Sequence, residues 1–139
     1  MNILLVEDNP ADVELSREVL DDSPHPVELS VAPDGAAALE YLRERLDSGR
    51  LPDLILLDLN MPRLDGRGML QRLKAEPRLK RIPVVVFTSS SATHDVVASY
   101  ELGASCYVVK PVGFEEFQQA IRSVEDFWLT VVKLPPAQA

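Results

Sequence analysis

Five times along the chain, a short run rich in Val, Ile and Leu gives way to a longer amphipathic stretch. The runs are 2–6 (NILLV), 27–32 (VELSVA), 53–57 (DLILL), 83–88 (PVVVFT) and 106–109 (CYVV). They show little apolar–polar alternation, as expected of strands covered on both faces, which is the condition of a parallel sheet. The segments between them have helical spacing. Asn9 is placed to cap a first helix with Pro10 in its opening turn, followed by Leu15, Val19 and Leu20. Asp34-Gly35 opens a second with Ala38, Leu39, Leu42 and Leu46 inward, and Asp65 caps a third carrying Met69, Leu70 and Leu73. A fourth, near 92–103, is short and weakly patterned, with Val96, Val97 and Tyr100 on its apolar side. The fifth is the clearest: Phe114, Phe117, Ile121, Val124, Trp128 and Val131 recur at steps of three and four, predicting a helix from about 114 to 133.

Strict alternation of this kind predicts an α/β fold of (βα)5 type: a doubly wound parallel five-stranded sheet with helices on both faces and right-handed crossovers. The flavodoxin-like strand order 2-1-3-4-5 is expected for five strands. The 139 residues fit one domain, and 46% hydrophobic residues supply a core for it. The longest apolar runs are far short of a membrane span. The opening residues "MNILLV" have no basic region or small-residue cleavage site, and the single cysteine, Cys106, suits a reducing compartment; a cytoplasmic location is expected. Cys106 reads as core. A net charge of −8 argues against holding nucleic acid through its phosphates, and the basic residues Lys74, Arg78, Lys80 and Arg81 read as a solvated helix end and loop. Gly66 and Gly103 are expected to serve turns that need positive φ.

In sheets of this order, function gathers at the carboxyl ends of the strands. The first strand ends in Glu7-Asp8 and the third in Asp58, and these strands are predicted neighbours. Each acid alone fits a helix cap or a solvated loop, but Asp58 directly after a wholly apolar strand fits neither well. Two like charges about 4 Å apart repel by about 4 kcal/mol at an effective dielectric of about 20, so a proton or a cation must relieve the crowding. The ligands are hard oxygens. His25 and His94 stand isolated and read as surface residues, leaving no His/Cys set for zinc. The chemistry points to Mg²⁺ or Mn²⁺ held by Glu7, Asp8, Asp58 and the backbone carbonyl of Asn60. The fourth strand ends at Thr88 and the fifth at Lys110-Pro111, bringing a hydroxyl and an ammonium to the same crevice. Cation, metal and hydroxyl around an acid are what an incoming phosphoryl group needs.

These residues resemble the receiver domains of two-component response regulators. The matching elements are Glu7-Asp8, Asp58, Met61-Pro62 with Asp65-Gly66, Thr88, Tyr107 and Lys110-Pro111, and they cover about residues 1–124. Glu at position 7, where Asp is commoner, is a familiar variation. The resemblance implies that Asp58 is the phosphoacceptor, that Glu7 and Asp8 bind Mg²⁺ with Asp58 and the Asn60 carbonyl, and that Lys110 contacts the phosphoryl oxygens. It also implies that Thr88 and Tyr107 form the conformational switch and that the Lys110–Pro111 peptide is cis. "VEDNPAD" at 6–12, "FTSSS" at 87–91 and "FWLTVVKLP" at 127–135 further resemble the single-domain regulators paired with bacterial phytochrome histidine kinases.

The expected reaction is acceptance of a phosphoryl group from a kinase phosphohistidine, followed by slow self-hydrolysis. Beyond that self-reaction no enzyme activity is expected. Asn60 and Ser90, beside the site, are expected to tune the phosphoryl lifetime. The domain boundary is read as 1–126 for the receiver, with 127–139 as a helix extension and tail and no separate output domain. Output is then protein contact, and a homodimer is expected through the helix 4–strand 5–helix 5 face with Phe127, Trp128 and Val131 in the interface. Three rival readings are weaker. A haloacid dehalogenase-type phosphatase places its nucleophile after strand 1 and wants an acid at the position of Asn60. A flavodoxin needs a hydroxyl-rich, glycine-rich loop where this chain has "EDNPAD". A pseudo-receiver used only for docking would not need Asp58, Thr88 and Lys110 together.

Overall fold

The computed structural model describes residues 1–136. Five strands, β1 (Asn2–Val6), β2 (Glu28–Ala32), β3 (Leu54–Leu57), β4 (Val84–Thr88) and β5 (Cys106–Val109), alternate with five helices. The helices are α1 (Pro10–Asp21), α2 (Gly35–Ser48), α3 (Gly66–Ala75), α4 (Thr93–Glu101) and α5 (Phe114–Asp126). The sheet is wholly parallel with order β2-β1-β3-β4-β5. The last three residues of the expected tail, 137–139, lie outside the described residues.

Side chains of the central strands alternate between two cores because successive residues of a strand point to opposite faces. Leu4, Val6, Ile55, Leu57, Val84 and Val86 join Leu39, Leu42, Met69 and Leu73 on the α2–α3 face. Ile3, Leu5, Leu54, Leu56, Val85 and Phe87 join Val19, Leu20, Phe117 and Ile121 on the α1–α5 face. Every residue of β3 and β4 is buried, which explains the missing polar alternation in their sequences.

The caps fall where their chemistry places them. The Asn9 side chain accepts hydrogen bonds from the N–H groups of Ala11 and Asp12, that of Asp34 from Ala37, and that of Asp65 from Gly68. These caps start α1, α2 and α3 directly beyond the carboxyl edge of the sheet.

Several expectations change. In α4 only Ser99 is buried, while Val97 and Tyr100 are about half exposed, so its weak patterning reflects a helix that lies shallowly. The fifth helix does not run uniformly to 133: at Phe127–Val131 it widens into a single π-helical turn, ending at Val132 in extended backbone. Phe114, at the start of the expected stripe, is 61% exposed, whereas the 66% exposure of Val131 agrees with its expected place in an interface. Lys74 is not simply solvated, because its half-buried ammonium donates to the carbonyls of Lys80 (2.8 Å) and Ile82 (2.9 Å). Burial pushes its pKa down. Gly103 has the expected positive φ of 103°, but Gly66 does not belong to that class. Gly66 is needed for close approach: an added Cβ would lie 2.3 Å from the Asp58 carbonyl oxygen and 2.7 Å from the Leu59 Cα. The start of α3 is thereby packed directly on the backbone that carries Asp58.

Candidate functional site

The carboxyl ends of β1, β3 and β5 open onto a crevice of about 570 Å³, lined by Glu7, Asp8, Asp12, Asp58, Asn60 and Lys110 among others. Glu7, Asp8 and Asp58 each place a carboxylate oxygen within 4.8 Å of the others. Glu7 and Asp58 are buried, whereas Asp8 is exposed at the mouth. Three converging carboxylate oxygens, two of them buried, fit a hard divalent cation.

Lys110 crosses this cluster. Its ammonium donates to Glu7 Oε2 at 2.5 Å, Asp12 Oδ2 at 2.9 Å and Asp58 Oδ2 at 3.4 Å. Its side chain is 8% exposed and lies over an apolar floor: Nζ is 5.9 Å from the centre of the Phe87 ring, which meets Phe117 edge-on at 5.1 Å. Burial alone would lower the lysine's pKa, but the hydrogen bonds to Glu7 and Asp12 and the charges of Glu7 and Asp58 outweigh it and hold it raised. Burial pushes the Glu7 carboxyl up to about 7, against the pull of Lys110 and with added repulsion from Asp58. The two shifts differ in their leading cause. Hydrogen bonds and opposite charges keep the proton on Lys110, whereas for Glu7 burial leads and the Asp58 charge only adds to it.

Thr88 is fully buried at the end of β4, and among the described residues its Oγ1 is the buried side-chain polar atom with no hydrogen-bond partner. Leaving such a hydroxyl unpaired costs about 1–3 kcal/mol. Tyr107 packs partly against the α2–α3 core and its hydroxyl donates to the Ser90 carbonyl at 2.8 Å. The Asn60 N–H points to Asp58 Oδ1 at 3.4 Å, and Asn60 lines the crevice as expected.

Ser90 is placed differently from expectation. Its hydroxyl donates to Asp95 Oδ2 at 2.6 Å, and Ser89 takes the place at the crevice wall. Asp95 in turn accepts from Arg67 at 2.6 Å, tying α4 to α3. The Ser90 hydroxyl first, then the charges of Arg67 and His94, hold the Asp95 carboxyl below its usual range despite some desolvation. The expected cis peptide at Lys110–Pro111 is a correction: among the described residues there is none. An X–Pro bond prefers trans by about 0.5–1 kcal/mol, and here the trans bond already brings the ammonium to all three acids. Cys106 is half-buried beside the α1–α5 core and burial pushes its thiol up, in keeping with a packing role. His94 is exposed, and His25 is half-buried with its Nε2 3.0 Å from Thr130 Oγ1.

Two features escaped the reading of the sequence. Asp12 stands one helical turn after Asp8, so an acid at that spacing in a helix opening on Asn9-Pro10 was a usable signal. The Arg67–Asp95 pair joins residues of different helices and leaves no local trace.

An acid cluster centred on an aspartate at this edge of this sheet is the architecture of a phosphoacceptor signalling module, and comparison with known proteins agrees. The family model for the response regulator receiver domain matches residues 3–122. The chain is 46% identical over 137 residues to the response regulator Rcp1 of Synechocystis sp., a match covering 97% of this chain and 93% of that protein. The crystal structure of the phosphorylated cyanobacterial phytochrome response regulator RcpA superposes with a TM-score of 0.92 at 43% identity, covering 96% of this chain and 97% of the other. The Mn²⁺-bound form of Rcp1 superposes with a TM-score of 0.91 at 46% identity, covering 96% and 98%. This chain belongs to the response regulator receiver family. It is a phosphorylation-activated signalling domain whose converging carboxylates fit a divalent metal, and the phosphatase reading finds no support.

A divalent cation requires Glu7 as carboxylate, and below about pH 7 its binding must displace the Glu7 proton. Calorimetric titration with Mn²⁺ is expected to show affinity rising by up to about tenfold per pH unit towards neutrality and levelling above it, with proton release on the acid side. An affinity that does not change between about pH 6 and about pH 8 would contradict the assignment of a proton to Glu7.

Proposed function

We propose that Asp58 accepts a phosphoryl group from the phosphohistidine of a sensor histidine kinase. The observation that carries this is the convergence of Asp58, Glu7, Asp8 and Lys110 from three separate strands on one crevice. An Asp58 carboxylate oxygen forms the new bond to phosphorus as the bond from phosphorus to the histidine nitrogen breaks. The electron pair of that bond stays on the imidazole, which takes up a proton, and the product is an acyl phosphate. Glu7, Asp8, Asp58 and the Asn60 carbonyl would hold Mg²⁺ or Mn²⁺, whose positive charge neutralises the transferring group. Lys110 orients and neutralises a phosphoryl oxygen from the other side, and the domain does no chemistry beyond its own phosphorylation and dephosphorylation. Asn60, at the crevice wall, guides or screens water and so tunes the lifetime; the Ser90 hydroxyl is held by Asp95 and is not part of that wall.

The unpaired Thr88 hydroxyl is the group that turns to the phosphoryl oxygens. Tyr107, bonded to the Ser90 carbonyl, then has its inward position favoured, and the population of the α4–β5–α5 surface shifts with it. The relatives named for phytochromes support a phytochrome-type kinase as donor. The single cysteine is the feature that favours a cytoplasmic setting. With net charge −8 the partner surface is a protein, not nucleic acid, and among the described residues no helix is long and apolar enough to cross a membrane. Incubation with a phosphorylated histidine kinase and Mg²⁺ is expected to label the wild type and leave Asp58→Asn unlabelled. Equal labelling of Asp58→Asn would overturn the assignment.

The same reading gives the output as self-association. Phe127 is 48% exposed and Val131 66% exposed on the π-helical turn, with Val97, Tyr100 and Val109 exposed on the adjoining face. Trp128 packs against the α1–α5 core and meets Phe127 edge-on at 5.5 Å, so it supports the interface from beneath. Sedimentation equilibrium is expected to give a dimer mass for the wild type and a monomer mass for Phe127→Glu/Val131→Glu. A monomeric wild type, both with and without phosphorylation, would remove the dimer.

A further inference from the structure

Lys110 has three N–H groups and three carboxylate partners, and the partners are not equivalent. Glu7 and Asp58 belong to the set of acids that converge for a cation, whereas Asp12 does not. Asp12 is also the most accessible of the three, with its side chain 26% exposed against 3% for Glu7 and 8% for Asp58. Its backbone is fixed, because its N–H donates to the Asn9 side chain at 3.2 Å in the first turn of α1. We propose that Asp12 is a positioning residue for phosphoryl transfer, retaining the Lys110 ammonium at the mouth of the crevice when Glu7 and Asp58 are engaged by a cation. This rests on the assignment of Asp58 as phosphoacceptor.

Lys110 and a cation compete for the same oxygens. An ammonium bonded to Glu7 and Asp58 resists any cation that needs the same oxygens. Asp12 offers it a third acceptor of the same charge outside the cation set, so Lys110 can give up the inner acids without leaving the crevice. From there it faces an incoming phosphoryl oxygen. Without Asp12 the ammonium falls back on Glu7 and Asp58, which weakens cation binding and removes it from the path of the phosphoryl group.

The test is a double-mutant cycle read by two measurements: the rate of Asp58 phosphorylation by acetyl phosphate at saturating Mg²⁺, and Mn²⁺ affinity by calorimetry. Asp12→Asn is expected to slow phosphorylation and weaken Mn²⁺ binding, each by about tenfold, the scale of one charge-assisted hydrogen bond. Asp12→Glu, which keeps the carboxylate, is expected to recover part of both. In a Lys110→Met background Asp12→Asn is expected to change neither. Equal effects of Asp12→Asn in both backgrounds would show that Asp12 acts by its charge alone and would overturn the proposal, as would no effect in either. A wild type that gains no phosphoryl group at all would instead overturn the assignment of Asp58.

Discussion

A single buried ammonium shared by three carboxylates is the interaction on which the site depends. Lys110 reaches Glu7, Asp12 and Asp58, which come from the ends of β1 and β3 and the first turn of α1. The arrangement is under-neutralised, since Asp8 also converges on Glu7 and Asp58. Burial raises the Glu7 pKa and the Asp58 charge adds to the rise, and a divalent cation would offset the surplus charge of the cluster more completely than one proton. What binds metal and what accepts a phosphoryl group are therefore one electrostatic problem. The domain holds negative charge in excess at a place where positive charge and a phosphorus electrophile can be brought together.

The sheet makes this possible by construction. Parallel strands all end on one edge, and the register of β1 with β3 sets Val6 beside Leu57, so the acids that follow each strand emerge side by side. Burial of every residue of β3 and β4 leaves those ends little freedom to move. Gly66 then brings α3 onto the Asp58 backbone at a distance that no other residue would allow. Precision at the carboxylates comes from packing several residues away.

Much of this was legible in the sequence because it depends on local chemistry. Val, Ile and Leu runs mark doubly covered strands, Asn9, Asp34 and Asp65 mark helix starts, and strand order brings Glu7, Asp8, Asp58 and Lys110 together, with Thr88 buried at the end of the neighbouring strand. The failures share a different cause. Helical spacing gives the direction of a face but not where the domain beneath it ends, so Phe114 was placed on the stripe yet stands in solvent, while Val131 is exposed as a residue expected at an interface would be. Long-range pairs such as Arg67–Asp95 and Tyr107–Ser90 depend on which helices and loops meet, and residue spacing carries no record of that. Ser90 was drawn towards the crevice by its proximity in sequence to Thr88, but a carboxylate on α4 claims its hydroxyl. Local resemblance likewise did not decide the isomer of Lys110–Pro111.

The most direct test of the gathered acid–lysine site is a crystal structure with Mn²⁺ and beryllium fluoride. The expected result is an anomalous peak bounded by the carboxylates of Glu7, Asp8 and Asp58, beryllium fluoride density joined to Asp58, and the Lys110 ammonium and Thr88 hydroxyl within hydrogen-bonding distance of it. A peak elsewhere, or Asp58 left bare while the ion sits on other ligands, would contradict it.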